Sequence, residues 1–336
     1  MLSLYLDKRS SGLWAAMIVV AATIPALSTD LVWSASALTK VTIHIPSKSL
    51  SLMPFYLGKD KGFFAEEGIE VELVLMAPPI AIAALVSGEL HFSTTLGAGT
   101  SAIMQGHPLK RIIYVQQDLT FALTALPEIK SIHDLKGKVI AVNAPTDATG
   151  MSATAILKGN GVNPSGVTFL ATQITENSYR ALMSRKVQAA ILPPPYAEEA
   201  QAKGFTRLAE AKDFAPLSTI GLIASIDYLN RNPSRVQSVL RALLKTLAYL
   251  HNQKNRSEVI RYIIGFHKID HSVAEKAFTT MLAALSHDGT KPREAVQREI
   301  EIYRETLKIA KSFTPEVLED LSHLRQAQAS LRESGR

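Results

Sequence analysis

The chain has 336 residues and no cysteine, and its 36 Lys and Arg against 30 Asp and Glu give a formal net charge of +6. The absence of cysteine excludes disulfides, a thiolate nucleophile and a Cys-ligated metal. The positive charge is spread along the chain without a long basic run, so nucleic-acid binding is not expected. The length allows a large core and favours two lobes over one.

Residues 1–37 have the pattern of a targeting segment. Lys8 and Arg9 precede an almost wholly apolar run at 12–27, and the Ala-Ser-Ala triplet that ends at Ala37 has the small-x-small form that signal peptidase cuts. The apolar run is shorter than the roughly 20 residues that span a membrane. We therefore expect cleavage near Ala37 and an exported, periplasmic chain, with an uncleaved membrane anchor as the alternative.

The first elements predict a βαβ unit. An alternating pattern at 41–45 predicts a strand, and a second alternating strand is predicted at 69–75. Between them, Pro54 is expected to open a helix, because its missing N–H would be unpaired there. Gly62 and Gly68 are expected to supply turns with positive φ. The order of strand, helix and strand is that of a βαβ unit.

Strands continue to alternate with helices as far as 210, and helices then follow. Further strands are predicted at 90–94, 109–116, 139–142, 167–170, 187–192, 205–208 and 213–224. Further helices are predicted at 78–88, 131–138, 177–183, 196–203, 257–265, 272–285 and 293–312. Two more are predicted to end near Met104 and Lys158, one is predicted to begin at Pro233, and the tail from 314 is predicted to be helical. This order predicts an α/β fold of two lobes joined by two crossovers, with the C-terminal helices packed back on the first lobe. We expect lobe one at 38–122 and 222–336, lobe two at 123–221, and hinges near 123–126 and 216–224.

One stretch carries a family resemblance. From Lys61 to Leu73 the chain reads K-G-F-F-A-E-E-G-I-E-V-E-L, after a strand and a P-x-Y motif at Pro54. This order closely resembles the substrate-binding proteins of ABC importers of the nitrate/sulfonate/taurine type, a group that includes the binders of the thiamine-pyrimidine precursor. The sequence D-L-K-G-K-V-I-A-V from Asp134 to Val142 also matches the start of the family's second lobe.

The resemblance implies a type II periplasmic-binding-protein fold. It also implies capture of a small molecule between two lobes and delivery to the membrane permease subunits of an ABC importer. We expect a monomer with no cofactor, no metal and no catalytic residue. The chain departs from the family pattern at Phe92 and Gln188, where Asp is usual, and at 193–195, where three prolines replace an acid-proline turn. The prolines remove a possible carboxylate and predict a stiff, apolar wall.

The loops that follow strands carry the candidate ligand contacts, because open parallel sheets bind ligands beyond the carboxyl ends of their strands. Two joints, at 94–101 and 143–151, each lead from a strand through hydroxyl and glycine residues into a helix N-terminus. Free N–H groups there favour an anion or a neutral oxygen, with simple capping as the alternative. The candidate ligand-binding residues are Ser49, Leu50, Thr95, Gly97, Ala98, Thr100, Thr146, Asp147, Thr149, Gly150, Pro194, Tyr196 and Thr219.

The ligand class and a catalytic role stay open at this point. These loops contain no Arg and one Lys, Lys48, so a bidentate grip on an anion is not indicated. A small neutral, heterocyclic or mixed-polarity molecule fits about as well as a sulfonate. The alternative function is an enzyme on the same bilobal fold, dehydratase-like or related to pyrimidine-precursor synthesis, with Asp147 as a base. His267 and His271 are four residues apart on a surface-like segment, so a metal pair is not expected there.

Overall fold

The computed structural model describes residues 38–335. Its strands are β1 (Thr39–Ile45), β2 (Ile69–Leu75), β3 (Phe92–Thr95), β4 (Leu109–Tyr114), β5 (Ala122–Ala125), β6 (Val139–Val142), β7 (Thr168–Ala171), β8 (Ala189–Leu192), β9 (Thr206–Glu210) and β10 (Ile220–Ser225). Its helices are α1 (Met53–Asp60), α2 (Phe63–Glu66), α3 (Pro78–Ser87), α4 (Leu96–Met104), α5 (Ala148–Gly159), α6 (Thr175–Met183), α7 (Tyr196–Ala202), α8 (Ile226–Arg231), α9 (Pro233–His251), α10 (Arg256–His267), α11 (His271–Ala284), α12 (Arg293–Leu307), α13 (Pro315–Leu318) and α14 (Ser322–Glu333).

The strands form two five-stranded sheets of the same design. The first has the order β2-β1-β3-β10-β4 and the second has the order β7-β6-β8-β5-β9. In the first sheet β1 runs parallel to β2 and β3, while β10 runs antiparallel to β3 and β4. In the second sheet β6 runs parallel to β7 and β8, while β5 runs antiparallel to β8 and β9. Each sheet with its flanking helices is called a lobe below, and the predicted bilobal α/β fold is confirmed.

Two connections join the lobes, at 115–121 between β4 and β5 and at 211–219 between β9 and β10. The first hinge was predicted near 123–126, and the structure corrects this, because Ala122–Ala125 forms β5. Leu123 lies inside β5, where it pairs with Ile191 of β8. The four residues of β5 are all buried, so this short apolar segment forms a central strand of the second sheet.

The opening βαβ unit follows the sequence closely. Pro54 lies in the first turn of α1, and Gly62 and Gly68 have φ of 79° and 76°. The helix approaches α9 so closely that a Cβ on Gly58 would lie 2.5 Å from the Thr246 hydroxyl oxygen. Only glycine allows this contact, which fixes the position of α1 over the first sheet.

The C-terminal helices pack on the first lobe, as predicted. The apolar stripe of α9 is buried, including Val236, Leu240 and Leu247, and α14 packs on α9 and β4. The helix predicted at 293–312 ends earlier, because Lys308 adopts a left-handed conformation with φ of 55°. Among residues 38–335, no helix combines the length and the apolar composition that crossing a bilayer requires. The predicted targeting segment lies outside the described residues.

Buried ionic groups connect α12 to the first sheet and to the second connection. The guanidinium of Arg111 in β4 donates to Glu299 of α12 at 2.7 Å, and both side chains are fully buried. The other carboxylate oxygen of Glu299 accepts from Ser218 at 3.2 Å and pairs with Lys291 at 3.4 Å. Lys291 also donates to the Ser218 hydroxyl at 2.7 Å. These bonds attach the connection at 211–219 to the first lobe.

Candidate functional site

A central cavity of about 60 Å³ lies between the two lobes. The loops that follow β1 and β3 form its wall on the first lobe, and those that follow β6 and β8 form its wall on the second. Of the predicted residues, the structure brings seven together in its lining: Ser49, Thr95, Gly97, Ala98, Asp147, Thr149 and Thr219. Residues chosen because they lie beyond the carboxyl ends of strands therefore gather around one cavity, and their contact with a ligand stays a prediction.

A wider outer groove, of about 590 Å³, opens beside the central cavity. The start of α3 and one side of α4 form its first wall, and the loop between β6 and α5 forms the second. Thr146, a predicted contact, lines this groove. Four residues line both cavities, namely Pro78, Ala98, Asn143 and Asp147. The two cavities therefore meet.

Five predicted residues do not line either cavity: Leu50, Thr100, Gly150, Pro194 and Tyr196. The Thr100 hydroxyl is buried inside the first lobe, where it donates to the Leu96 carbonyl and accepts from Arg111. Gly150 lies against backbone, since a Cβ there would lie 2.4 Å from the Ala144 carbonyl oxygen.

Leu50 and Pro194 instead join the two lobes. The Leu50 N–H donates to the Pro194 carbonyl at 2.9 Å, and the Lys48 N–H donates to Glu176 Oε1, also at 2.9 Å. The Tyr196 hydroxyl donates to the same carboxylate oxygen at 3.1 Å. Burial, and then the neighbouring carboxylate of Glu176, raise the pKa of Tyr196. The bonds donated by the Leu50 and Lys48 N–H groups both cross the cleft beside the central cavity, so the lobes are closed on one another.

In the joint between β6 and α5, the side chain of Asp147 caps the N-terminus of the helix. Asp147 is the N-cap of α5, and its Oδ1 accepts from the Thr149 N–H at 2.8 Å, the Thr149 hydroxyl at 2.7 Å and the Gly150 N–H at 3.2 Å. Burial raises the pKa of the Asp147 carboxyl, and these hydrogen bonds oppose that rise. Capping therefore accounts for one oxygen of this carboxylate.

The joint between β3 and α4 is not capped in this way. Thr95 is the N-cap of α4, but its side chain makes no capping bond. The Thr95 hydroxyl oxygen is buried and has no hydrogen-bond partner within residues 38–335. The Leu96 N–H is taken by the Thr219 carbonyl at 3.0 Å, and the next residue, Gly97, faces the second lobe. A Cβ on Gly97 would lie 3.7 Å from the Ala148 nitrogen, so α4 begins where the two lobes meet.

Several lining residues were not predicted as contacts. Asn143 follows β6 directly, and Pro78 follows β2 after a short loop, so the carboxyl-end rule was sufficient to find both. Phe121 and Thr175 carry no such signal, because they reach the cavity through the connection between lobes and the start of α6. Within the described range, no group of three His, Asp or Glu side chains is placed to hold a metal ion.

The comparisons with known proteins agree with this architecture. A sequence model of the family described as "NMT1/THI5 like" matches residues 50–257. The riboflavin-binding protein RibY of Chloroflexus aurantiacus is 28% identical over 218 residues, which cover 61% of this chain. The match spans 60% of that relative's own length.

Two solved structures illustrate the range of proteins with this fold. A putative periplasmic sulfonate-binding protein of an ABC transporter, SsuA from Methylobacillus flagellatus KT, superposes with a TM-score of 0.65 at 17% identity, covering 89% of this chain and 97% of its own. The desulfurization enzyme DszB superposes with a TM-score of 0.64 at 12% identity, covering 87% of this chain and 99% of its own. The family resemblance noted in the sequence is confirmed, and the fold is shared by binding proteins and by an enzyme.

Proposed function

Because the chain belongs to the NMT1/THI5-like family, we propose that it is an exported solute-binding protein that captures a small organic molecule between its lobes and delivers it to an ABC importer. The closed cleft carries this proposal. Two hydrogen bonds donated by backbone N–H groups, from Leu50 to the Pro194 carbonyl and from Lys48 to the Glu176 carboxylate, join the lobes beside a cavity that both lobes line. A ligand that contacts both walls stabilises the closed form relative to an open one. Ligand binding to a hinged protein therefore shifts its equilibrium towards the closed conformation.

The partners follow from the same proposal. The membrane permease subunits of the importer recognise the paired lobes, and the protein acts in the periplasm as a monomer, without a role for nucleic acid. Export uses the segment at 1–37 with cleavage near Ala37. The lobe boundaries, at 38–122 with 222–336 and at 123–221, stay predictions. The ligands named for two relatives, riboflavin and a sulfonate, make these two compounds the first probes for this chain.

We assign the site to binding and not to catalysis. Asp147, the candidate base, uses one oxygen to cap α5. No His lines the central cavity, and Asp147 is its one titratable side chain within residues 38–335. A general acid and a general base are commonly paired in proton-transfer catalysis, and this cavity supplies one group.

The deciding experiment combines binding with chemical recovery. The purified protein is incubated with a small-molecule extract, retained compounds are identified by native mass spectrometry, and each is then recovered and analysed after prolonged incubation. We expect a retained compound that is recovered unchanged. Conversion of the retained compound into a product supports the enzyme alternative, and retention of no compound contradicts solute binding.

Closure is tested with Glu176→Ala. This change removes the acceptor of the Lys48 N–H, a bond to a charged group worth about 1.5–3 kcal/mol. We expect about tenfold weaker ligand binding, with a smaller decrease in radius of gyration on ligand addition by small-angle X-ray scattering. Glu89→Ala, at an exposed position that lines neither cavity, is the matched control and is expected to bind normally.

A further inference from the structure

We propose that the ligand is an uncharged, elongated molecule, with a compact hydrogen-bonding head in the central cavity and an apolar arm in the outer groove. This inference rests on the proposed solute-binding function and specifies its ligand class. Three observations carry it: the sizes and continuity of the two cavities, the charges of their lining, and the polar and apolar groups that each cavity presents.

The volumes require an occupant that extends beyond the central cavity. Sites for small organic ligands commonly measure about 300–1,000 Å³. The central cavity, at about 60 Å³, holds only a few atoms, while the outer groove, at about 590 Å³, falls within that range. Since Pro78, Ala98, Asn143 and Asp147 line both spaces, one molecule can occupy them together.

The charges oppose an anionic ligand. Among the described residues, neither cavity is lined by a Lys or an Arg, whereas Asp147 lines both and His107 lines only the outer groove. Lys48 is exposed and does not line either space. In the central cavity, a compact anion such as a sulfonate would therefore lie near the acidic residue Asp147 with no cationic side chain to offset the repulsion and the loss of hydration.

The central cavity presents hydrogen-bond acceptors from opposite lobes. The hydroxyl oxygen of Thr95 and the amide oxygen Oδ1 of Asn143 are buried and have no partner within residues 38–335. The Asn143 Nδ2 donates to Thr175 at 3.5 Å, which leaves Oδ1 to accept from a ligand. Buried polar atoms without partners in a native fold call for water or a ligand. A head with N–H or O–H groups satisfies both atoms at once and links the lobes.

The outer groove presents an apolar wall. The start of α3 supplies Pro78, Pro79, Ile80 and Ile82 to this groove. Ile80 is 61% exposed, although it is among the most hydrophobic residues of the helix. Covering its side chain with an apolar arm removes that surface from water, which is favourable by the same effect that builds a protein core.

The test compares probes with and without an arm, and with and without a charge. The neutral probes are riboflavin, benzamide and 4-butylbenzamide, and the compact anions are nitrate and methanesulfonate. Dissociation constants are measured by isothermal titration calorimetry. We expect riboflavin or 4-butylbenzamide to bind more tightly than benzamide, and all neutral probes to bind more tightly than the anions.

Two substitutions locate the arm. Ile80→Ser removes part of the apolar wall and is expected to weaken the elongated probes about fivefold to tenfold while leaving benzamide unchanged. Thr146→Trp, at an exposed position that lines only the outer groove, fills the groove and is expected to have the same selectivity. Val86→Ser, on the same helix and 40% exposed but outside both cavities, is the matched control.

The outcomes separate this inference from the solute-binding proposal. Tighter binding of the anions, or elongated probes that are insensitive to both groove substitutions, overturns the inference and leaves solute binding intact. Failure to bind any probe also overturns the inference. In that case, the extract experiment still decides whether the protein binds a solute. A retained compact anion supports solute binding and contradicts the elongated, uncharged ligand.

Discussion

The two joints that lead into α4 and α5 look alike in sequence and differ in structure. Each follows a strand from the parallel part of its sheet, passes through hydroxyl and small residues, and starts a helix at the cleft. In the second lobe, Asp147 caps the helix and takes up its first N–H groups. In the first lobe, the Thr95 hydroxyl has no hydrogen-bond partner among residues 38–335. The difference comes from the side chain at the N-cap. The Asp147 carboxylate accepts hydrogen bonds from N–H groups in the first turn of α5, whereas the Thr95 side chain makes no such bond in α4.

This comparison assigns different tasks to similar segments. The joint at α5 is a structural element that also exposes part of Asp147 to both cavities. The joint at α4 is held by the Thr219 carbonyl, which accepts from the Leu96 N–H, and by contact with the second lobe, and the Thr95 hydroxyl has no partner among residues 38–335. Two pairs of substitutions test whether stability depends on the α5 joint and ligand binding on the α4 joint, and a pH experiment tests the strand that leads into the α4 joint.

The largest expected effect comes from adding a methyl group to each joint. In Gly150→Ala the new Cβ meets the Ala144 and Pro145 carbonyls at 2.4 Å, and backbone cannot move aside easily. We expect a loss of about 3 kcal/mol in the free energy of unfolding, measured with urea. In Gly97→Ala the Cβ meets the end of the Tyr303 side chain at 2.9 Å, so we expect a smaller stability loss but weaker ligand binding. Equal stability losses would contradict the comparison.

Low pH is expected to destabilise the pairing of β1 with β3, the strand that leads into α4. His44 is buried in β1, its Nε2 donates to the Met76 carbonyl at 3.1 Å, and its Nδ1 therefore accepts from Ser93 of β3 at 2.9 Å. Burial lowers the pKa of His44 to about 4 from 6.5. The unfolded chain binds a proton at His44 more readily than the folded chain does. The stability that depends on neutral His44 is therefore fully present above pH 6.5 and is lost as the pH falls towards 4.

Between pH 7 and pH 5 the His44 contribution amounts to a loss of about 2 kcal/mol, at about 1.4 kcal/mol per pH unit below 6.5. The measurement is the difference in unfolding free energy between the two pH values, in the parent chain and in His44→Gln. Subtracting the difference for His44→Gln from the difference for the parent cancels the contributions of the other titrating groups, which both proteins share. If the variant keeps the full pH dependence, His44 is not its source.

The smallest expected effect comes from the caps themselves. Asp147→Ala removes an acceptor of three hydrogen bonds, and we expect a stability loss of about 1 kcal/mol in urea unfolding. Thr95→Val removes a hydroxyl with no partner among residues 38–335, so we expect a stability change below about 0.5 kcal/mol. The same Thr95 variant is expected to bind ligand less tightly. A larger stability loss in Thr95→Val than in Asp147→Ala would reverse the assignment of the two joints.

Local patterns predicted most of the fold. The alternation of residues 69–75, the proline at 54 and the glycines at 62 and 68 each act over a few residues, and each has the structure expected of it. The first hinge was misplaced because the short apolar segment at 122–125 lacks a pattern that separates a strand from a linker. Such a segment becomes a strand only through its partners β8 and β9.

The cavity that forms the candidate site was predictable in outline from the sequence, but the contacts that close the two lobes were not. The order of strands and loops located the region around Thr95 and Asp147. Glu176 was missed, because its role depends on a bond to the Lys48 N–H, which lies 128 residues away in sequence. The carboxylate of a helical residue gives no sign in sequence that it faces the other lobe. Pairings of this kind follow from how two lobes meet, and not from local preference.

The position of β10 determines the order in which the lobes can be completed. Its strand lies between β3 and β4 in the first sheet, yet it follows all five strands of the second sheet in the chain. The second sheet can therefore form from one continuous segment, whereas the first must close a long loop before its last strand is in place, and non-local pairing of this kind is slow. During synthesis the second lobe has all its strands first, and β3 and β4 remain unbridged until Ile220–Ser225 has been made.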